Sequence, residues 1–492
     1  MRLRTLLQHL DLTLAESAPD LEITGVQDDS RLVAPGDLFI ARGGPNTDGA
    51  QFAADAAARG AVAVVTDKQL SNLALPQIYV VDASVVGPQL ATAFAGHPER
   101  VVKLLGVTGT NGKTTVAYLV RHILDVAGRK CGMIGTVEID DGAKRVESAL
   151  TTPGAIQLAN LLAAMRDNGC RACVTEASSH ALHQNRLAGL EFAAAGFTNL
   201  TGDHLDYHKS MDAYAAAKAR LFETLPHNAV AATNADSPWY RRMIERTDAR
   251  IVTFGIQQPA DYRAADFAVT AHGTHFVLVT PDGKTEIDLQ LIGRHNIENA
   301  LCAITMCCET FGMSVQQVAA ALKTAKGAPG RLELVGTGRP FSVLVDYAHT
   351  DDALHNVLSA LRPLTRGKLR VVFGCGGDRD RTKRPRMARV AEQGADVVYV
   401  TSDNPRTEDP DAILAEIRDG FTSAARKHVA FELDRRVAIE RAIYDSQPGD
   451  VVLIAGKGHE NYQILGKTKH HFDDVEEARN ALTSLGHQVG AV

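Results

Sequence analysis

The stretch VKLLGVTGTNGKTTVAYLVRHILDVAG (102–128) limits the possible folds of this chain more than any other. A short apolar run leads into a glycine-rich turn, and apolar residues at helical spacing follow it. KCGMIGTV (130–137) then opens a second apolar run. A strand, a helix and a strand within ~30 residues pair as parallel neighbours through a right-handed crossover, so the chain builds an α/β sheet. The turn GVTGTNGKTT (106–115) enters the helix at its N-terminus, where backbone N–H groups converge on an anion. Lys113 there neutralises outer phosphates, and a Thr hydroxyl reaches a magnesium ion. The usual phosphate-loop pattern has a Gly, four further residues, and then Gly-Lys; Val107 stands where that first Gly belongs.

At 492 residues the chain outgrows a single core, and ~100–200 residues per domain predicts about three domains. Residues 1–98 hold short strand-like runs (EITGV, DLFIA, AVAVVTD) and an Ala-rich helix, QFAADAAARG, stopped by Gly60. Residues 99–334 carry the regular alternation. In that region Thr152 is expected to N-cap the helix GAIQLANLLAAMRDNG, with Pro153 at its first position. Alternation over 266–292 around Pro281-Asp282-Gly283 predicts an appended antiparallel hairpin. Residues 335–492 hold four apolar strands, FSVLVDYAH, LRVVFGCGG, DVVYVTSDN and DVVLIAGKG, the mark of a second α/β sheet.

Net charge −6 and a pI near 6.3 offer no general attraction for a polyphosphate backbone, so no nucleic-acid partner is expected. No window reaches ~18 uninterrupted apolar residues, and Gln8, His9 and Asp11 interrupt the N-terminal apolar run. The expectation is a cytoplasmic monomer with no membrane insertion. Seven cysteines fit a reducing compartment, and Cys170, Cys173, Cys307 and Cys308 are assigned to core packing.

Two further segments fall just past apolar strands, where parallel sheets present ligands: EASSHALHQNR (176–186) and TNLTGDHLDYH (198–208). Glu176 at a strand end suits a hard cation, and His204 could complete a second cation site. In MDAYAAAKARLFETL (211–225), Tyr214 and Lys218 lie one helical turn apart. TSDNPRTEDP (401–410) also follows an apolar strand.

The variant loop GTNGKTT resembles the nucleotide loop of the Mur ligase and folylpolyglutamate synthase superfamily, and further blocks agree with it in order along nearly the whole chain. The resemblance implies three α/β domains: a small uridine-binding domain at 1–98, a central parallel-sheet ATP-binding domain at 99–334, and a Rossmann-like amino-acid-binding domain at 335–492. It implies an ATP-dependent amide-bond ligase with Mg²⁺. Gly109, Thr110, Asn111, Gly112, Lys113, Thr114, Thr115, Asn296, Asn299, Arg331 and Asp346 match its ATP-binding positions. Thr114, Glu176, His204 and Lys218, the last as a carbamate formed with CO₂, match metal-binding positions. Lys113, Lys218 and His204 are the expected catalytic residues. Asp351 stands where Pro commonly follows YAHT, a change that a helix N-terminus accommodates.

Within the superfamily, the chain is most similar to the members that add the third residue of the peptidoglycan stem. The resemblance implies UDP-N-acetylmuramoyl-L-alanyl-D-glutamate as acceptor, held by Ser30, the 45–47 loop (Pro45, Asn46, Thr47), Thr151, Thr152, Ser178, Gln184 and Arg186. The added amine is then expected at Arg379, Asp403, Asn404, Pro405, Arg406, Gly456 and Glu460. meso-2,6-Diaminopimelate differs from L-lysine by a distal carboxylate, which a guanidinium fork holds bidentately. Arg406 supplies that fork, so diaminopimelate is expected, with L-lysine or D-alanyl-D-alanine addition and a non-catalytic nucleotide-binding protein as alternatives.

Overall fold

A computed structural model describes residues 1–14, 19–43, 48–71, 73–270, 273–335, 339–425 and 429–489, apart from the side chains of Asp206 and of residues 486–489. The chain forms two compact units: Met1–Arg263 with Val279–Gly283 and Glu298–Ala321, and Ala264–Leu278 with Lys284–Ile297 and Leu322–Val492.

In the first unit, the N-terminal segment forms a four-stranded parallel sheet in the order Gly25–Gln27, Asp37–Ala41, Ala63–Thr66, Gln77–Tyr79. Leu3, Leu38, Val65, Ile78 and Leu90 fill its core, which Ile156 and Ala159 from the helix Ala155–Asp167 extend. Gly60, at φ 104°, ends the Ala-rich helix Ala53–Ala58 where a left-handed residue is needed.

The parallel core of the larger sheet runs Arg250–Gly255, Val230–Asn234, Phe192–Phe197, Lys103–Thr108, Ala172–Glu176, Cys131–Ile134, and the antiparallel strands Glu138–Asp140 and Arg145–Glu147 extend it at that last edge. The predicted strand, loop and helix are Lys103–Thr108, residues 109–112 and Lys113–Val126. Register pairs Val107 with Glu176 and Thr108 with Phe197, so the loops after three adjacent strands leave from one sheet edge. Pro281-Asp282 turns the strand Gly273–Thr280 into Gly283–Leu289 as expected, and a third strand, Tyr262–Thr270, neighbours Gly273–Thr280.

One expectation is corrected. The helix Ala155–Asp167 begins after Gly154, which occupies the N-cap, so Thr152 does not cap it. The Thr152 hydroxyl instead donates to Glu176 O at 2.7 Å and lies 3.1 Å from Ser178 Oγ. A buried carbonyl left by the neighbouring strand is a stronger claim on that hydroxyl than a solvent-facing helix end.

The second unit holds a sheet ordered Glu333–Leu334, Ser342–Asp346, Val451–Ala455, Leu369–Phe373, Val397–Thr401, Val429–Glu432, parallel except for the first strand. The last strand of the chain to join it, Val451–Ala455, inserts between the two earliest parallel ones. The loops after 373, 401 and 455 therefore leave neighbouring strands at one carboxyl edge, the place where such sheets bind ligands. Asp351 starts the helix Asp351–Leu361, N-capped by Thr350. All seven cysteines are free and buried, in keeping with packing. Among the described residues, no helix is long and apolar enough to cross a membrane.

Candidate active site

The loop 109–112 is held from the adjacent strand's exit. Thr198 Oγ1 donates to Asn111 O at 2.6 Å, Asn111 N donates to Asn199 Oδ1 at 2.9 Å, and Thr110 N donates to Asn199 O at 2.9 Å. Lys113 folds back over the loop, donating to Gly109 O at 2.9 Å and Thr110 O at 2.8 Å. Two glycines make this close approach possible. A Cβ on Gly109, at φ 153°, would stand 2.0 Å from Thr198 Oγ1, and one on Gly112, at φ 87°, would stand 2.2 Å from Asn299 Oδ1. Asn299 thus lies against the loop. Thr115 is buried on the first turn of the same helix.

Glu176 is 1% exposed and gathers donors from three directions: Thr114 Oγ1 at 3.0 Å, Thr136 Oγ1 at 3.0 Å and Thr136 N at 2.8 Å. A buried carboxylate beside a hydroxyl at a phosphate loop is an oxygen donor set that fits Mg²⁺, which takes one or two carboxylates and leaves its other positions to water and phosphate. Lys218, 1% exposed, donates to Gly109 O at 2.7 Å and lies 4.6 Å from the Tyr214 ring centroid. Burial, and after it the nearby Lys113 charge, push the Lys218 ammonium well below the usual lysine range. That shift favours the uncharged, nucleophilic amine over the ammonium.

Beside it stands a stack of rings. His204, at φ 53°, packs 4.9 Å from His180 and 6.1 Å from Tyr214, and His208 packs 5.2 Å from Tyr214. Burial and the neighbouring histidines lower His208 to about 4. It stays neutral and shares a hydrogen bond with Ser179 Oγ at 3.0 Å.

The residues expected from the sequence to hold the uridine-linked acceptor converge on Thr152. Ser178 Oγ lies 3.1 Å from its hydroxyl, Arg186 donates to Thr152 O at 2.8 Å, and Arg186 Nη2 donates to Gln184 Oε1 at 2.7 Å. Thr151 Oγ1 is 3.1 Å from Thr136 Oγ1, which links this group to Glu176. Burial lowers the Arg186 guanidinium from its usual range, and the Arg42 charge adds to it; Arg42 itself pairs with Asp28 at 2.7 Å. Ser30, buried, begins a 3₁₀ turn nearby in sequence. Pro45, Asn46 and Thr47 lie outside the described residues.

In the second unit, Asn296 is buried and donates to Ile292 O at 2.9 Å. Asp346 accepts from Leu332 N at 2.7 Å and Ala348 N at 2.8 Å, while Arg331 lies over the Tyr347 ring at 4.6 Å. Burial raises the Asp346 carboxyl despite these donors and the Arg331 charge.

The strand-end loops of this unit meet around Asp403. Asn404 Nδ2 donates to Glu460 Oε2 at 2.9 Å, and the fully buried Lys457 lies 3.8 Å from Asp403, 3.7 Å from Glu460 and 3.2 Å from Asn404 Oδ1. Burial opposes the charge on Asp403, yet Lys457 and Arg435 outweigh it and hold the carboxyl below its usual range. Burial and the Asp403 charge raise Glu460. Arg406, following the buried Pro405, sits at φ 53° and donates to Gly377 O at 2.8 Å. A Cβ on Gly456 would come 2.8 Å from Asp403 Oδ2, so that glycine keeps the carboxylate in place. Arg379 is exposed and donates to Asp378 O at 3.0 Å. The sequence reading missed Lys457, although it lies between Gly456 and Glu460 in the GKGHE stretch; a lysine in a polar loop reads as solvated until its burial is seen. Thr136 was missed as well, since it follows a different strand from Glu176.

Three family models tile the chain. The Mur ligase middle domain matches residues 107–307, the glutamate ligase domain 330–458, and the Mur ligase family catalytic domain 22–104. The chain belongs to the Mur ligase family. Curated relatives of this Mur ligase include the UDP-N-acetylmuramoyl-L-alanyl-D-glutamate--2,6-diaminopimelate ligases of Gloeobacter violaceus, 45% identical over 98% of both chains, and of Synechococcus elongatus, 46% identical over 98% of this chain and 99% of that one. A solved structure of a ligase of the same name superposes with TM-score 0.73 at 36% identity, covering 99% of this chain and 100% of the other. An ADP complex of a Thermotoga maritima MurF ligase shares the fold at TM-score 0.64 and 19% identity, covering 96% of this chain and 100% of that one.

The loop glycines provide a direct check. Gly112→Ala introduces strain of about 1–3 kcal/mol at a positive φ facing Asn299. The expected result is a roughly tenfold or larger rise in the KM for ATP in a folded variant; an unchanged KM would mean the loop accommodates a side chain.

Proposed function

We propose that this Mur ligase joins meso-2,6-diaminopimelate to UDP-N-acetylmuramoyl-L-alanyl-D-glutamate at the expense of ATP, in peptidoglycan precursor synthesis. The observation that carries the choice of amine is Arg406, pinned in a left-handed conformation beside the Asp403, Asn404 and Glu460 cluster. A guanidinium next to acidic groups suits an amino acid end that bears both a carboxylate and an ammonium. L-Lysine has only the ammonium there.

The chemistry is the management of charge. The terminal carboxylate of the acceptor attacks the γ-phosphorus of ATP, giving an acyl phosphate and ADP. The amine then adds to the acyl carbon, loses a proton, and expels phosphate to leave the amide. Two anions meet in the first step, so Lys113 and the N–H groups at the start of the helix Lys113–Val126 offset their repulsion. Glu176 and Thr114 would hold Mg²⁺, which when bound neutralises phosphate charge. Lys218, as a carbamate, and His204 belong to the proposed cation-binding set. Asn296, Asn299, Arg331 and Asp346 are assigned to the nucleotide, and Ser30, Thr151, Thr152, Ser178, Gln184 and Arg186 to the uridine-linked acceptor. Asp403, Asn404, Arg406 and Glu460, with Arg379, orient the incoming amine, and much of the rate comes from that positioning. We assign these roles to domains at 1–98, 99–334 and 335–492 of a cytoplasmic, monomeric enzyme.

Phosphate release from ATP, measured with the uridine-linked dipeptide and in turn diaminopimelate, L-lysine and D-alanyl-D-alanine, tests the proposal. Release with diaminopimelate alone is the expected result. Preference for L-lysine would overturn the choice of amine, and no release with any acceptor would favour a non-catalytic nucleotide-binding protein.

A further inference from the structure

Arg384 is 0% exposed, on the first turn of the helix Lys383–Gly394; both terminal nitrogens of its guanidinium are engaged, as removal from water requires, while its Nε has no hydrogen-bond partner among the described residues. Its Nη1 donates to Glu416 Oε2 at 2.7 Å; its Nη2 donates to Glu408 Oε1 at 2.9 Å and reaches Gly376 O at 3.3 Å. Two of these partners belong to the loops that leave adjacent strands, 374–378 after Leu369–Phe373 and 402–408 after Val397–Thr401.

The same two loops are stitched together around Arg406. Glu408 Oε1 also accepts from Asp378 N at 2.5 Å, and the Asp378 carboxylate accepts from Thr407 Oγ1 at 2.8 Å and Thr407 N at 3.2 Å. Gly377 N donates to Asn404 O at 2.9 Å, and a Cβ on Gly377 would lie 1.9 Å from Pro405 O. The Arg406 guanidinium rests on this seam through Gly377 O, and its backbone is closed from the far side by Arg406 N to Ile464 O at 3.1 Å and Gly466 N to Arg406 O at 2.8 Å. Gly377 O is Arg406's side-chain hydrogen-bond partner among the described residues, which leaves the remaining edge of its fork for a carboxylate.

We propose that Arg384 is a positioning residue for the amino-acid substrate: buried beneath the two loops, it holds Gly376–Asp378 against Asn404–Glu408 so that the Arg406 fork is aimed at the substrate's distal carboxylate. This rests on the reading of Arg406 as the carboxylate-binding group. A guanidinium is needed because one side chain must serve a carbonyl and two carboxylates at once, in a plane, which an ammonium on a flexible stem does not reproduce. A fork misaimed by an ångström loses the substrate end it grips while leaving the other substrates' sites intact.

Arg384→Lys and Glu408→Gln, each checked for folding by thermal unfolding, are compared with wild type and Arg406→Ala. The expected result is an about tenfold rise in the KM for diaminopimelate, with kcat and the KM values for ATP and the uridine nucleotide changed by less than about twofold. Discrimination between diaminopimelate and L-lysine should narrow by the same factor, because lysine presents nothing to Arg406; a merely structural defect would move all substrates together. Unchanged diaminopimelate KM in the folded variants, or a uniform loss across substrates, would overturn the role of Arg384. Glu408→Gln, at a side chain 23% exposed, decides the matter alone if Arg384→Lys does not fold. A wild type that prefers L-lysine would instead overturn the functional reading and this role with it, whereas a diaminopimelate-specific wild type with a defective Arg406→Ala and normal Arg384→Lys and Glu408→Gln would overturn the positioning role only.

Discussion

Lys218→Ala is expected to lower kcat by on the order of 10²–10³, with partial recovery when short carboxylic acids are added. The side chain is buried, donates to Gly109 O at 2.7 Å, and shares that carbonyl with Lys113, whose Nζ lies at 2.9 Å. Burial disfavours a charge on Lys218, and the neighbouring Lys113 charge adds to it, so the Lys218 ammonium is pushed well below its usual range. An uncharged amine adds to CO₂ and releases a proton, giving a carbamate. That converts a repelling cation into an anion paired with Lys113 and suited to a cation site. Alanine would remove the proposed carbamate, and an added small carboxylate would stand in for it. The measurement is turnover with and without such acids. Full turnover in Lys218→Ala would sink the carbamate role, and so would a loss that no acid restores together with an unmodified lysine mass in the wild type.

Arg406→Ala should cost about 2–5 kcal/mol in transition-state binding of diaminopimelate, seen mainly as a raised KM. The estimate is large because the substrate's distal carboxylate would be left unpaired next to Asp403, which Lys457 and Arg435 hold in its charged form. KM for ATP should barely move, since among the described residues the Arg406 side chain bonds to Gly377 O of the adjoining loop and to no nucleotide-side residue. Wild-type kinetics with diaminopimelate in this variant would remove the reason for choosing it over L-lysine.

Local features of the chain were legible before any coordinates. GTNGKTT declared an anion loop because its glycines, lysine and following helix all lie within a few residues, and Pro281-Asp282-Gly283 declared its turn for the same reason. The Thr152 cap failed because local preference was outweighed by a carbonyl 24 residues away in sequence. Lys457 and Arg384 escaped notice for the converse reason. On sequence a lysine or arginine near a loop reads as solvated, and only packing shows it to be fully buried with carboxylates.

The sequence by itself determined the α/β class, the phosphate loop, the family, and Lys218 and Arg406 as residues to test, because each depends on short-range spacing or on motif order. Only the tertiary structure decided that Lys218 and Lys113 share one carbonyl, since Lys218 and Gly109 are 109 residues apart. It alone decided that the buried Arg384 joins the loop after Leu369–Phe373 to the loop that carries Arg406, through Gly376 O and Glu408. Parallel sheets place the ends of strands far apart in sequence side by side, so the electrostatics of such a site exist only once the crossovers have closed.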